Sequence, residues 1–117
     1  MNDCIFCKII NGEIPSTKIY EDDDMLIFAN INPNAKYHHL AILKQHFATL
    51  DEMNEKQAVA LGKMLLKISK LKNELHLNEG YRLIINQKGP NGNNANQEIM
   101  HLHVHILSGQ PMQWKPA

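Results

Sequence analysis

Residues 101 to 107 read HLHVHIL, an alternation of imidazole and aliphatic side chains with a period of two. A β-strand sends successive side chains to opposite faces. The stretch therefore predicts a strand with His101, His103 and His105 in one row and Leu102, Val104 and Ile106 in the other. The aliphatic row belongs to the core. The imidazole row needs hydrogen-bond partners or a metal wherever water is excluded, and three charged rings side by side would repel one another. Three histidines in strict alternation thus point to a site rather than to a solvated face on which histidine happens to recur. Two chemistries stay open at this level. The rings can be ligands of a water-activating metal. Alternatively one neutral imidazole attacks phosphorus while its neighbours orient it and manage charge, because an ordinary pKa of about 6.5 leaves histidine mostly neutral at physiological pH.

The rest of the chain supplies elements to build around that strand. CIFCKIING has Ile5, Phe6, Ile9 and Ile10 at roughly helical spacing and stops at Gly12, which predicts a short helix. TKIYE and MLIFANI, separated by the acidic turn Asp22 to Asp24, predict a hairpin, and HHLAIL at His38 to Leu43 a third strand. From about Asp51 to Leu77 the residues Leu61, Met64, Leu65, Ile68, Leu71 and Leu75 keep i, i+3, i+4, i+7 order with lysines opposite, so one long helix is expected there. Thr49 and Glu52 are placed to form its capping box, and Gly80 to end it. YRLIIN and HLHVHIL predict two further strands flanking the Gly- and Asn-rich segment QKGPNGNNANQ. Helix, three strands, long helix and two strands indicate an α+β class with a mainly antiparallel sheet.

At 117 residues with 44% apolar content the chain can bury one core, so residues 1–117 are expected to form a single domain. Lysine plus arginine and aspartate plus glutamate both number 12, which removes the electrostatic case for nucleic-acid backbone or anionic membrane as partners and leaves a small ligand. No apolar run is long enough to span a bilayer and the N-terminus lacks a cleavable leader pattern, which predicts a soluble, cytoplasmic protein. The two cysteines, Cys4 and Cys7, form C-x-x-C; in a reducing compartment that spacing favours metal or redox use over a structural disulfide. No βαβ context precedes the pair, which argues against a thioredoxin-like role.

These residues together resemble the histidine triad (HIT) superfamily, in its Hint-like branch. HLHVHIL fits the pattern His-φ-His-φ-His-φ-φ; CIFCKIINGEIPSTKIYEDD resembles the branch's N-terminal signature, HHLAILKQH its central strand and following loop, and SGQPMQWKPA its C-terminus. The resemblance implies a HIT-like fold: a five-stranded, mainly antiparallel sheet with one long and one short helix, assembled as a homodimer through the long helix and the YRLIIN strand. It implies binding of purine nucleotides (AMP-like substrate or product) and hydrolysis of nucleoside phosphoramidates or related adenylates through a covalent nucleotidyl-histidine.

Carried over by position, the resemblance makes His103 the nucleophile, with His105 and His38 holding the phosphate and managing protons and charge. Asn86 matches a phosphate-contacting residue, and Gln97 with Glu98 a pair near the leaving group. Glu98 would assist a departing amine, or else be a solvated loop carboxylate. Ile5, Phe6, Ile9, Phe28 and Ile31 match the apolar slot for the base, or are ordinary core. Cys4, Cys7, His46 and His101 match a structural zinc site, closed to substrate, while the reaction itself would need no metal. Three positions depart from the pattern. Asn30 replaces the usual ribose-binding Asp, which removes a charge-assisted contact. Leu43 replaces a Pro, and Asn96, in a longer loop, replaces the Gly before Gln97. The alternative consistent with Asn30 and the altered loop is a nucleotide-binding signalling module with weak or vestigial hydrolysis. His39 and His76 receive no role, the latter as a solvated residue at the end of the long helix.

Overall fold

The computed structural model describes residues 3–114, so the last three residues of the tail motif lie outside it. The hairpin expected around the acidic turn forms from β1 (Lys18–Glu21) and β2 (Met25–Ala29), closed by Asp22, whose Oδ1 accepts from the backbone N–H of Asp24 at 2.8 Å and of Met25 at 3.0 Å. β3 (Tyr37–Leu43), β4 (Tyr81–Ile84) and β5 (His103–Ser108) complete one antiparallel sheet in the order β1-β2-β3-β5-β4. β3 and β5 are the two central neighbours; His38 stands opposite Leu107 and Leu40 opposite His105.

The period-two pattern divides the sheet into two faces. Met25, Ile27, Ala41, Leu43, Leu102, Val104 and Ile106 pack with Met64 and Ile68 of the long helix α2 (Glu55–Lys70). On the opposite face Leu26, Phe28, Leu40 and Ile42 pack with Phe6 and Ile9 of the short helix α1 (Ile5–Ile10). The imidazole row shares this second face, so both sides of the central strands are buried, and His101 and His103 are buried with them.

Several boundaries differ from the sequence reading. Thr49 and Glu52 do not cap the long helix: Leu50–Glu52 is a 3-10 turn, Glu52 Oε1 accepts from the Ala48 backbone N–H at 3.0 Å, and Met53 is extended. The capping box lies further on. Asn54 Oδ1 accepts from Gln57 N–H at 2.8 Å and Gln57 Oε1 from Asn54 N–H at 3.0 Å. α2 ends at Lys70, because Leu71 leaves the helical region at φ −98°, ψ 46°. Leu75 and Leu77 still reach the core, from irregular turns that precede Gly80 at φ +107°. β5 begins at His103, so His101 and Leu102 stand just before the ladder, held there by Leu102 N–H donating to Phe47 O at 2.8 Å. Their side chains nevertheless continue the alternation.

Candidate active site

At the junction of β3 and β5 three imidazoles, those of His38, His105 and His103, follow one another in contact, and backbone partners fix where their protons sit. His103 Nδ1 is 2.7 Å from the His101 carbonyl oxygen, an acceptor only, so Nδ1 carries the proton and donates. Nε2 of the same ring then keeps a free lone pair. On the neighbouring strand His38 Nδ1 accepts from Asn34 N–H at 2.9 Å, which puts the His38 proton on Nε2. That N–H donates to His105 Nδ1 at 2.8 Å, so His105 in turn carries its proton on Nε2. The result is one ring with a nucleophilic nitrogen beside a second ring presenting an N–H donor. The two rings meet edge to face with centroids 5.0 Å apart.

Electrostatics keep both rings neutral. Burial holds His103 below the ordinary histidine value, partly offset by the donated bond to His101 O and by the Glu98 carboxylate. Burial, with His103 and His38 adding repulsion, pushes His105 down to about 4. Burial alone lowers His38. A protonated His103 would have no lone pair to offer, so this depression keeps one on the ring at neutral pH.

The residues expected to line the site divide in two. Phe6, Ile9 and Phe28 are buried together, with the Phe6 ring edge-on to Phe28 at 5.6 Å and to His103 at 5.2 Å. Ile5 and Ile31 are instead exposed, at 42% and 89%. Asn30 is half-buried beside His38: its Oδ1 accepts from Asn32 N–H at 2.9 Å, and its Nδ2 stands 3.2 Å from the protonated His38 Nε2, a meeting of two donors rather than a hydrogen bond. Asn86 is half-buried just past the end of β4 and Glu98 is exposed.

Gln97, expected near a leaving group, is the most deeply buried of the residues expected to contact ligand. It is 1% exposed, and its amide is taken up by the protein: Oε1 accepts from Lys88 N–H at 3.0 Å while Nε2 donates to Ala48 O at 2.7 Å and to Ile99 O at 3.2 Å. Asn93 clamps the Gln97 backbone from both sides, donating to its carbonyl and accepting from its N–H. Gln97 thus ties together the two loops that frame the site, with Glu98 next to it facing solvent. Side-chain patterns also give no sign of Asn34, which acts through its backbone N–H, or of Leu43, which acts through its carbonyl.

Cys4, Cys7, His46 and His101 converge with their donor atoms within 4.8 Å of one another, the one such group of ligands found among the described residues. His101 Nε2–H donates to Leu43 O at 2.7 Å, which leaves its Nδ1 lone pair directed at Cys4 Sγ (3.4 Å), Cys7 Sγ (3.6 Å) and His46 Nδ1 (3.2 Å). His46 Nδ1 and Cys7 Sγ are 3.3 Å apart. Donors around a tetrahedral zinc, with bonds of about 2.0–2.3 Å, lie about 3.3–3.8 Å from each other, so the arrangement fits such an ion. Burial, and then the adjoining Cys4 thiol, push the Cys7 thiol up to about 11; a cation would relieve that cost. With an ion there, the Leu43 carbonyl would supply the outer hydrogen bond that orients His101 as a ligand.

Comparison with known proteins agrees with this geometry. A family model described as "Scavenger mRNA decapping enzyme C-term binding" matches residues 3–116. Protein HitA of Neisseria gonorrhoeae is 41% identical over 112 residues, covering 96% of this chain and 100% of that protein. The HIT family hydrolase of Legionella pneumophila Philadelphia 1 superposes with a TM-score of 0.88 at 39% identity, covering 98% of this chain and 100% of that one. A histidine triad protein from Clostridium difficile superposes with a TM-score of 0.86 at 41% identity, covering 97% and 96%. With the alternating imidazoles on a central strand, a five-stranded antiparallel sheet and relatives of this identity across nearly the whole length, the chain belongs to the histidine triad (HIT) family.

Proposed function

We propose that the protein hydrolyses purine nucleoside phosphoramidates or related adenylates through a covalent nucleotidyl-histidine. The observation that carries this reading is the bond from His103 Nδ1–H to the His101 carbonyl, which leaves Nε2 as the free lone pair of a buried neutral ring. Nε2 attacks the α-phosphorus, the bond from phosphorus to the amine breaks, and the amine leaves with a proton taken from solvent water. The His103 ring gains positive charge as the new bond forms, and the Nδ1–H to carbonyl bond strengthens with it. That interaction is therefore worth more in the transition state than before it. His105 Nε2–H, oriented through His38 and Asn34, donates to a non-bridging phosphoryl oxygen. Water then attacks phosphorus, releasing the nucleoside monophosphate and free His103. Glu98 assists the departing amine, and Phe6, Ile9 and Phe28, with Ile5 and Ile31 at the rim, receive the base. Asn30 and Asn86 contact ribose and phosphate, and Gln97 acts by holding the surrounding loops.

The metal centre takes zinc through Cys4, Cys7, His46 and His101. With four protein ligands it is closed to substrate and supplies structure rather than activated water. The triad rings favour nucleophilic over metal-based chemistry, because His103 commits Nδ1 to a carbonyl and His105 commits Nδ1 to His38. Assembly as a homodimer is supported by Val59 and Leu66 exposed on α2, by Tyr81 and Leu83 exposed on β4, and by the position of β4 at the sheet edge. Light scattering that finds a monomer at micromolar concentration removes that part of the reading.

The test is AMP release from an adenosine phosphoramidate. His103→Ala is expected to lower kcat by about 10³-fold or more, and a quenched wild-type reaction to yield a nucleotide adduct on the peptide containing His103. Wild-type turnover in the variant overturns the mechanism. The second reading, a binding module, is favoured by Asn30, whose amide oxygen already has a backbone partner; tight AMP binding by calorimetry without turnover would support it.

A further inference from the structure

His101 takes part in two arrangements. Its Nδ1 lies among the donors of the metal centre, and its carbonyl oxygen receives the Nδ1–H of His103. Phe6 makes a second link between the same two places. It sits between Cys4 and Cys7 in the sequence, is 3% exposed, and lays its ring edge-on against both His101, at 5.9 Å and 74°, and His103, at 5.2 Å and 82°. α1 has six residues, too few to hold a helix by its own hydrogen bonds. Its placement depends on Phe6 and Ile9 packing against the sheet and on the convergence of Cys4 and Cys7 with His46 and His101.

We propose that the metal centre positions the nucleophile: by fixing the His101 carbonyl and the Phe6 ring, two of the groups that touch the His103 imidazole, it keeps the proton on Nδ1 and the reactive lone pair on Nε2. The chemistry behind this is the tautomer equilibrium. A neutral imidazole in water prefers its proton on Nε2, the form with no lone pair to offer from that nitrogen, and an acceptor held against Nδ1 reverses the preference. The carbonyl can reverse it only while it stays where the ring can reach it. The Phe6 ring, 5.2 Å away and at 82° to the imidazole, packs against it and restricts its turning. His101 and Phe6 are thus positioning residues, and ligand binding at one end of the cluster sets the reactivity of a ring that is not itself a ligand. This rests on His103 being the nucleophile, as proposed above.

The experiment uses the full chain with ¹⁵N-labelled histidine, loaded with zinc or stripped by a chelator, together with Cys7→Ser and Phe6→Leu. Imidazole ¹⁵N shifts report the His103 tautomer without substrate, and adenosine phosphoramidate turnover reports kcat and KM. Zinc-loaded wild type is expected to show one His103 form, protonated on Nδ1. Stripped wild type and Cys7→Ser are expected to show both forms and to lose about 10- to 100-fold in kcat with KM changed less than about twofold. Returning zinc restores stripped wild type and leaves Cys7→Ser impaired. Phe6→Leu keeps all four donors, so it is expected to retain zinc while the His103 forms mix. A single Nδ1-protonated form and full kcat in the stripped protein, with only the melting temperature lowered, overturn the proposal, and so does the same result in Phe6→Leu. If Cys7→Ser does not fold, stripped wild type and Phe6→Leu decide the matter. No turnover by zinc-loaded wild type would instead refute the hydrolase reading, and the shifts would still decide the coupling.

Discussion

Acidification should destabilise this fold through His105 before the carboxylates contribute. Its folded value of about 4 lies below the ordinary 6.5, so between those values the unfolded chain binds more protons than the folded one. Stability is therefore complete above the unfolded value and falls as pH drops towards the folded one. Carried to about pH 4.5, that difference amounts to about 2.5 kcal/mol for a fully shielded ring. His105 is only half-buried and water screens its neighbours, so a loss of about 1–2 kcal/mol relative to pH 7.5 is expected from this group. Urea unfolding of wild type and His105→Gln at the two pH values, with chelator present throughout, isolates the effect. Glu21 and Asp22, held low by Lys44 and by backbone N–H bonds respectively, act equally in both proteins, so the difference reads His105 together with its coupling to His103 and His38. The variant should lose about 1–2 kcal/mol less than wild type on acidification. An equal or greater loss in His105→Gln would refute the assignment of the acid sensitivity to this ring.

Two further substitutions probe the scaffold. Gly109 sits at φ +91° and an added Cβ would lie 2.5 Å from Tyr37 Cδ2, in a ring already stacked on His76 at 3.7 Å, so Gly109→Ala should cost about 2–4 kcal/mol by urea unfolding. A loss below about 0.5 kcal/mol would mean that the ring yields freely. Gln97→Leu keeps the volume but removes the partners of Lys88 N–H and of the Ala48 and Ile99 carbonyls, and should cost about 2–4 kcal/mol; unchanged thermal unfolding would show that water replaces the amide at no cost.

The imidazole row was legible because a strand's period of two is a property of the backbone and holds even at His101, outside the ladder. The stripe of Met64 and Ile68 was equally legible. Its end was not, because Leu71, Leu75 and Leu77 satisfy the same spacing from irregular turns. Thr49 with Glu52 and Asn54 with Gln57 offer alternative caps a few residues apart, and only tertiary packing chooses between them. Within the site, Cys4, Cys7, His46 and His101 were named from a resemblance and do converge. The tautomers depend on the His101 and Leu43 carbonyls and the Asn34 N–H, groups that every residue carries and no side-chain pattern marks. The backbone partners of Gln97 were hidden for a related reason: an amide looks the same in sequence whether it faces a ligand or three backbone groups.

The pairing of β3 with β5 has a consequence for quality control. Sliding one strand past the other by a single residue would turn the imidazoles towards the long helix and the aliphatic residues towards the short one. Polar rings would then stand among Met64 and Ile68 without partners, a penalty few domains of this size survive. A chain paired in that slipped register is thus disfavoured by its own instability, and the pairing that persists is the one that sets the imidazoles on the face of the short helix.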